Sequence, residues 1–143
     1  FDLCYTPDSA LLVSASEDGS VRIWDTWKYT QVRSFTPHGG TGVLSASVSP
    51  AGEITTSGKD GRVIRSDING QAVGEYERLP DWAYQARFGR KGEVVLSGSW
   101  DGVVRAFDTA TGERRAEFST QPEAAVQTAA NAESPVAEET PPK

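Results

Sequence analysis

The chain reads as an all-β protein in which one four-stranded antiparallel meander is repeated three times. Three observations lead there. Asp-Gly pairs stand at Asp18-Gly19, Asp60-Gly61 and Asp101-Gly102, 42 and 41 residues apart, and six residues after each Gly comes a second Asp, at Asp25, Asp67 and Asp108. Aromatic residues close the periods at Phe35, Tyr76 and Phe118. Between these markers the apolar residues alternate with a period of two, as in Phe1/Leu3/Tyr5, Leu44/Ala46/Val48 and Tyr84/Ala86/Phe88. Successive side chains of a strand point to opposite faces, so this is strand patterning rather than the 3.6-residue period of a helix.

Each unit then resolves into four runs. The alternating run comes first and ends in a turn cluster: Thr6-Pro7-Asp8-Ser9, Ser49-Pro50-Ala51-Gly52 or Gly89-Arg90-Lys91-Gly92. A second apolar run follows over 11–14, 53–57 and 94–97. The Asp-Gly pair closes a tight turn, because Gly accepts the positive φ that short hairpins demand. A third run occupies 21–24, 63–66 and 104–107, and a polar turn, with Asn69-Gly70 and Thr111-Gly112 in the later units, leads to a short fourth run ending at the aromatic closer.

Four strands in about 40 to 45 residues, with a Trp-Asp pair ending the third, is the repeat arithmetic of a β-propeller blade. The run Leu12-Val13-Ser14-Ala15-Ser16-Glu17-Asp18-Gly19-Ser20-Val21-Arg22-Ile23-Trp24-Asp25 resembles the centre of a WD repeat. The run from Val95 to Asp108 is similar, with Phe107 in the Trp place, and the middle unit keeps Asp60 and Asp67 but has Ser66 there. The resemblance implies three propeller blades at about 1–35, 43–76 and 83–118. Three blades make an incomplete ring, since rings need roughly 4 to 8. Each blade buries its faces only against neighbours. The three units alone are therefore expected to be marginally stable or to self-associate, unless further blades of the same chain cover them. The sequence holds no Met and opens on Phe1 inside an alternating run. It is expected to be a C-terminal three-blade piece of a longer, bacterial WD-repeat protein.

In that family a hydrogen-bonded set fixes each hairpin: a His before the first strand, a Ser/Thr on the second, the turn Asp and the Trp indole. A buried carboxylate is costly unless donors satisfy it, and these groups donate. Carried over by position, the first unit supplies Ser16, Asp18 and Trp24. The second supplies His38 and Asp60, with Gly58 and Ser66 in the other two places. The third supplies Ser99 and Asp101. Asp25, Asp67 and Asp108 read as turn residues accepting local backbone N–H groups.

Function follows less directly. The residues before the turn Asp, namely Glu17, Lys59 and Trp100, stand at the turn tips, and Trp82 and Tyr84 enter the same side from the Leu79-Pro80-Asp81 loop. A large aromatic at a turn tip is a candidate interface anchor. Trp82, Tyr84, Trp100, Lys59 and Glu17 are thus the candidate partner-binding residues, against the alternative that Trp82 or Tyr84 packs between blades. Trp27 and Tyr29 are placed at the opposite end.

No phosphate loop, nucleophile elbow, His-Glu-x-x-His or Cys pair is present, and the charged residues recur with the structural period instead of converging. The reading is non-enzymatic, with no catalytic residues, no cofactor and no metal. The single Cys4 can form neither an internal disulfide nor a haem-attachment pair, and reads as a small packing residue between sheets. A net charge of −6 argues against nucleic acid as a partner. The longest unbroken apolar run, residues 10–13, is far short of a membrane span. A soluble chain is expected, with the cytoplasm favoured and export left open.

The function implied by the resemblance is a scaffold for protein–protein interaction, its partners being other proteins or blades of its own chain. The alternative is an accessory propeller in a larger bacterial enzyme or a c-type-cytochrome-linked protein. Residues 119–143 contain no aromatic and only Val126 and Val136 as large aliphatics. They are expected to form a disordered Ala/Glu/Pro-rich tail. Glu123, Glu133, Glu138, Glu139 and Lys143 give this stretch half of the net charge of −6.

Overall fold

Twelve strands form three separate four-stranded antiparallel sheets in the computed structural model, which describes residues 1–119. The first sheet holds β1 (Asp2–Tyr5), β2 (Leu11–Ala15), β3 (Val21–Asp25) and β4 (Thr30–Phe35). The second holds β5 (Val43–Val48), β6 (Ile54–Gly58), β7 (Val63–Ser66) and β8 (Ala72–Glu75). The third holds β9 (Ala83–Phe88), β10 (Val94–Ser99), β11 (Val103–Asp108) and β12 (Arg114–Ser119). Within each sheet the spatial order follows the chain, so every connection is a hairpin. The last strand runs through Ser119, and the rest of the tail expected over 119–143 lies outside the described residues. No helix of the described residues is long and apolar enough to cross a membrane.

The sheets stack face to face as blades of an incomplete ring. Val13, Ala15, Val21 and Ile23 of the first sheet meet Val43, Ala46 and Ile54 of the second. Val63 and Tyr76, together with Leu79 of the following loop, meet Ala83, Ala86, Val95 and Phe107 of the third. Each large side chain so buried stabilises by about 1.5–3 kcal/mol. The innermost strands β1, β5 and β9 are sheet edges whose free backbone groups need partners, and small polar side chains supply them. Ser45 Oγ accepts the Ala86 N–H at 2.9 Å, and Ser47 Oγ accepts the Phe88 N–H at 3.3 Å. Asp2 accepts both the Ala46 N–H at 3.1 Å and the Arg87 guanidinium at 2.9 Å, which ties all three blades together at the inner rim.

Two features depart from simple alternation. β-Bulges at Leu44 and Tyr84 make Val43 and Ala83 the buried residues at the start of β5 and β9. A bulge re-aims the extra side chain, and Tyr84 is 38 % exposed instead of wedged between blades. In β1 the alternation leaves Leu3 and Tyr5 exposed, and Phe1 just before it is exposed too, with the Lys59 ammonium of the second blade 5.8 Å from its ring centroid. Asp2 and Cys4 take the inner side, and Cys4 packs on the first apolar cluster. Burial pushes its thiol up to about 11, as befits a packing residue.

The loops between blades are clasped to the Asp-Gly turns, and glycine is what permits it. Gly61 has φ +74, and a Cβ there would lie 2.7 Å from the Leu79 carbonyl oxygen and 3.0 Å from that of Asp81. The Leu79 N–H in turn donates to Gly61 O at 2.9 Å. Gly52 shares the left-handed φ, at +86, but a Cβ there would meet nothing within 4 Å. Gly52→Ala is therefore expected to cost the backbone term alone, about 1 kcal/mol, and Gly61→Ala about 2 kcal/mol, because its methyl also pushes the loop off the turn. Urea denaturation of the two variants measures the difference. Equal losses would mean that the loop yields freely.

Candidate functional site

The hairpin-fixing groups are satisfied differently in each blade. In the first, the Trp24 indole N–H donates to Ser14 Oγ at 2.9 Å, not to Ser16. Ser14 lies opposite Arg22 and diagonal to Trp24, within cross-strand reach, whereas Ser16 is already past the end of β2. The Ser16 hydroxyl instead accepts the Asp18 N–H at 3.3 Å in the turn. The strand hydroxyls in matching register are Ser14, Thr56 and Ser97, two positions before Ser16, Gly58 and Ser99. In the third blade Ser97 donates to Gln85 O at 3.0 Å and Ser99 to Asp81 O at 3.5 Å.

His38 is 2 % exposed and bridges the second blade. Its Nδ1 lies 2.9 and 3.0 Å from the two Asp60 carboxylate oxygens, and its Nε2 lies 3.1 Å from Thr56 Oγ1. A carboxylate can only accept, so Nδ1–H donates to Asp60 and Nε2 accepts the Thr56 hydroxyl. Burial lowers the imidazole pKa more than the Asp60 charge raises it, so the ring is neutral at pH 7. Gly58 stands where a hydroxyl was expected because the ring lies against it: a Cβ would sit 2.7 Å from Nδ1.

The other two blades solve the same problem with arginine. Asp18 accepts the Ser20 N–H at 2.8 Å, the Ser20 hydroxyl at 2.6 Å and the Arg22 guanidinium at 2.6 Å. Asp101 accepts the Val103 N–H at 3.0 Å and Arg105 at 2.7 Å. Both carboxyls are held below the usual range, Asp18 chiefly by the Ser20 hydroxyl and Asp101 chiefly by Arg105. The spacing Asp-Gly-x-x-Arg marks these two turns, and the second blade has Ile64 in the Arg place and uses His38. This signal was present in the sequence and was missed. The second Asp of each unit caps its turn: Asp25 takes the N–H groups of Trp27 and Lys28, Asp67 those of Asn69 and Gln71, and Asp108 those of Ala110 and Thr111.

The five candidate partner-binding residues form one continuous strip across the turn tips of all three blades. Glu17 and Lys59 are ion-paired. The Lys59 ammonium lies 5.1 Å from the Trp82 ring centroid. Trp82 and Tyr84 have centroids 6.1 Å apart, and Tyr84 and Trp100 5.3 Å apart. The Trp100 N–H donates to Trp82 O at 3.1 Å, which fixes the turn against the loop. Trp82, Tyr84 and Trp100 are 42 %, 38 % and 68 % exposed, so none is core. Trp27 and Tyr29 lie in the β3–β4 turn, at the other end of the meander, also exposed.

A family model described as WD domain, G-beta repeat matches residues 1–25 and 29–64. With the three repeated four-stranded sheets, that decides the family. The chain belongs to the WD-repeat β-propeller family. Among curated relatives of this WD-repeat chain, cleavage stimulation factor subunit 50 of Arabidopsis thaliana is 30 % identical over 75 % of the chain and 27 % of its own length. Apoptotic protease-activating factor 1 of Danio rerio is 28 % identical over 80 % of the chain and 9 % of its own length. Periodic tryptophan protein 2 of Arabidopsis thaliana is 27 % identical over 74 % and 12 %, respectively. The chain thus spans about a quarter or less of the length of these relatives. A chain in the crystal structure of a mitotic checkpoint complex superposes with a TM-score of 0.76 over 82 % of this chain and 37 % of that one. At 18 % identity this likeness concerns the fold. WD repeats generally mediate protein–protein interaction.

Proposed function

We propose that this WD-repeat chain is a non-catalytic protein-interaction scaffold whose partner docks on the turn tips, over Trp82, Tyr84 and Trp100 and beside the Glu17–Lys59 pair. The observation that carries the reading is the continuous strip of three exposed aromatic rings at one end of the blades, with Tyr84 in contact with Trp82 on one side and Trp100 on the other. Leaving this much aromatic surface in water is unfavourable, and interface anchors are drawn from such residues. The titratable pair that a catalytic reading would need, His38 and Asp60, is instead sealed by its own hydrogen bonds, with the imidazole buried.

Trp100→Ala is expected to weaken capture of the protein partner from extracts of the source cells by tenfold or more, about 1.4 kcal/mol or above. The circular dichroism spectrum should stay unchanged, because the side chain makes no core contact. Trp27→Ala, at the other end, should leave capture intact. Loss of capture with Trp27→Ala and retention with Trp100→Ala would place the docking surface elsewhere.

A further inference from the structure

We propose that the cavity between Trp82, Tyr84 and Trp100 is a site for a soft organic cation, the guanidinium of an arginine or the methylated ammonium of a lysine, carried by the docking partner. This deepens the docking reading above and rests on it. The cavity measures about 350 Å³ and is lined by Asp81, Trp82, Tyr84 and Trp100. That volume lies within the range of small-ligand sites.

The lining residues are three aromatics and one acid. Aromatic rings carry negative faces that attract a cation within about 6 Å of the centroid. The strip already displays this chemistry once, because the Lys59 ammonium sits 5.1 Å from the Trp82 ring. Lys59 is the partner of Glu17, and it is not among the cavity residues. The acidic residue of the lining is Asp81. One of its oxygens accepts the Trp82 N–H at 2.7 Å, and among the described residues Asp81 enters no ion pair. A neutral apolar guest would cover that carboxylate and strip its water without compensation. A cation would pair with it. The net charge of −6 favours the approach of a positive segment as well.

The preference for a soft cation follows from hydration. A primary ammonium is compact and strongly hydrated, whereas a guanidinium is planar, weakly hydrated and stacks on rings. Methylation moves an ammonium in the same direction. The walls are also preorganised: Tyr84 is turned outward by the bulge in β9, and the Trp100 backbone is bonded to Trp82 O.

Indole N–H signals of the ¹⁵N-labelled full chain, assigned by Trp→Phe variants, provide the test. Tetramethylammonium and methylguanidinium are expected to shift the Trp82 and Trp100 signals saturably, with Trp27 unmoved. Neopentyl alcohol, a neutral compound of similar size, should bind about tenfold more weakly. Asp81→Asn should weaken both cations severalfold and bind the alcohol at least as well as the wild type does. Capped tripeptides centred on arginine, citrulline, lysine or trimethyllysine then distinguish the source of the cation, with citrulline and lysine the weaker members. Equal binding of alcohol and cations would overturn the cation site yet leave the docking surface standing. No saturable shift with any cation would overturn it too, whatever Trp100→Ala does to partner capture. The docking reading falls separately, if Trp100→Ala leaves that capture intact.

Discussion

Phe107→Ala is expected to lower the unfolding free energy by about 3–5 kcal/mol, the cost of deleting a fully buried aromatic ring. Phe107 is 0 % exposed, and its ring centroid lies 5.3 Å from that of Tyr76 on the neighbouring blade. It stands opposite Val95 in the β10–β11 ladder and belongs to the cluster that joins the second and third blades. The loss therefore falls on a seam between blades as well as on one sheet. Alanine would leave a cavity that neighbours cannot fill, because Val63, Ala83 and Ala86 sit on backbone held by its own ladder bonds. Trp24, at the same repeat position in the first blade, is only half-buried. Urea denaturation measures the change. A loss below about 1 kcal/mol would mean that the seam contributes little to global stability.

The strands and their turns were legible because each rests on a local rule. Period-two alternation, Asp-Gly at each hairpin and three copies in register leave few alternatives. The turn-tip strip was legible for the same reason: Glu17, Lys59 and Trp100 hold one repeat position, and the hairpin sends that position to the end of the blade. What failed depends on relations between strands. Alternation does not say which face is inward, so Phe1, Leu3 and Tyr5 read like Val13 and Ile23 although they are exposed. A bulge adds one residue without a compositional mark, so the apparently regular Tyr84/Ala86/Phe88 series left open whether Tyr84 turns outward or packs between blades. The offset from Ser16 to Ser14 is a matter of register, since only pairing shows that Ser14 is diagonal to Trp24. Gly58 looked like a missing hydroxyl, when the contact that excludes a side chain comes from His38, 20 positions earlier in the chain.

His38→Ala is expected to cost about 3 kcal/mol at pH 7.5, since it removes a buried ring and leaves the Asp60 carboxylate without its strongest donor. Asp60 would retain only the Arg62 N–H, at 3.0 Å. The wild-type chain should also show a pH dependence that this variant lacks. Burial depresses the folded-state pKa of His38 below its ordinary 6.5. As pH falls through 6.5 the unfolded chain takes up a proton that the folded chain still refuses, so unfolding becomes easier. The stability held by the neutral imidazole is complete above 6.5 and is lost progressively as pH falls toward the folded-state value. The depressed carboxylates, Asp8, Asp18, Asp25, Asp67, Asp101 and Asp108 with an ordinary 3.8 and Glu75 with 4.5, lose their contribution only as pH falls through those values, below this window. Urea midpoints at pH 7.5 and 5.5 should therefore fall for the wild type and stay level for His38→Ala. A wild-type midpoint that rises at pH 5.5 would mean that the Asp60 charge outweighs burial and that the pair folds as an ion pair.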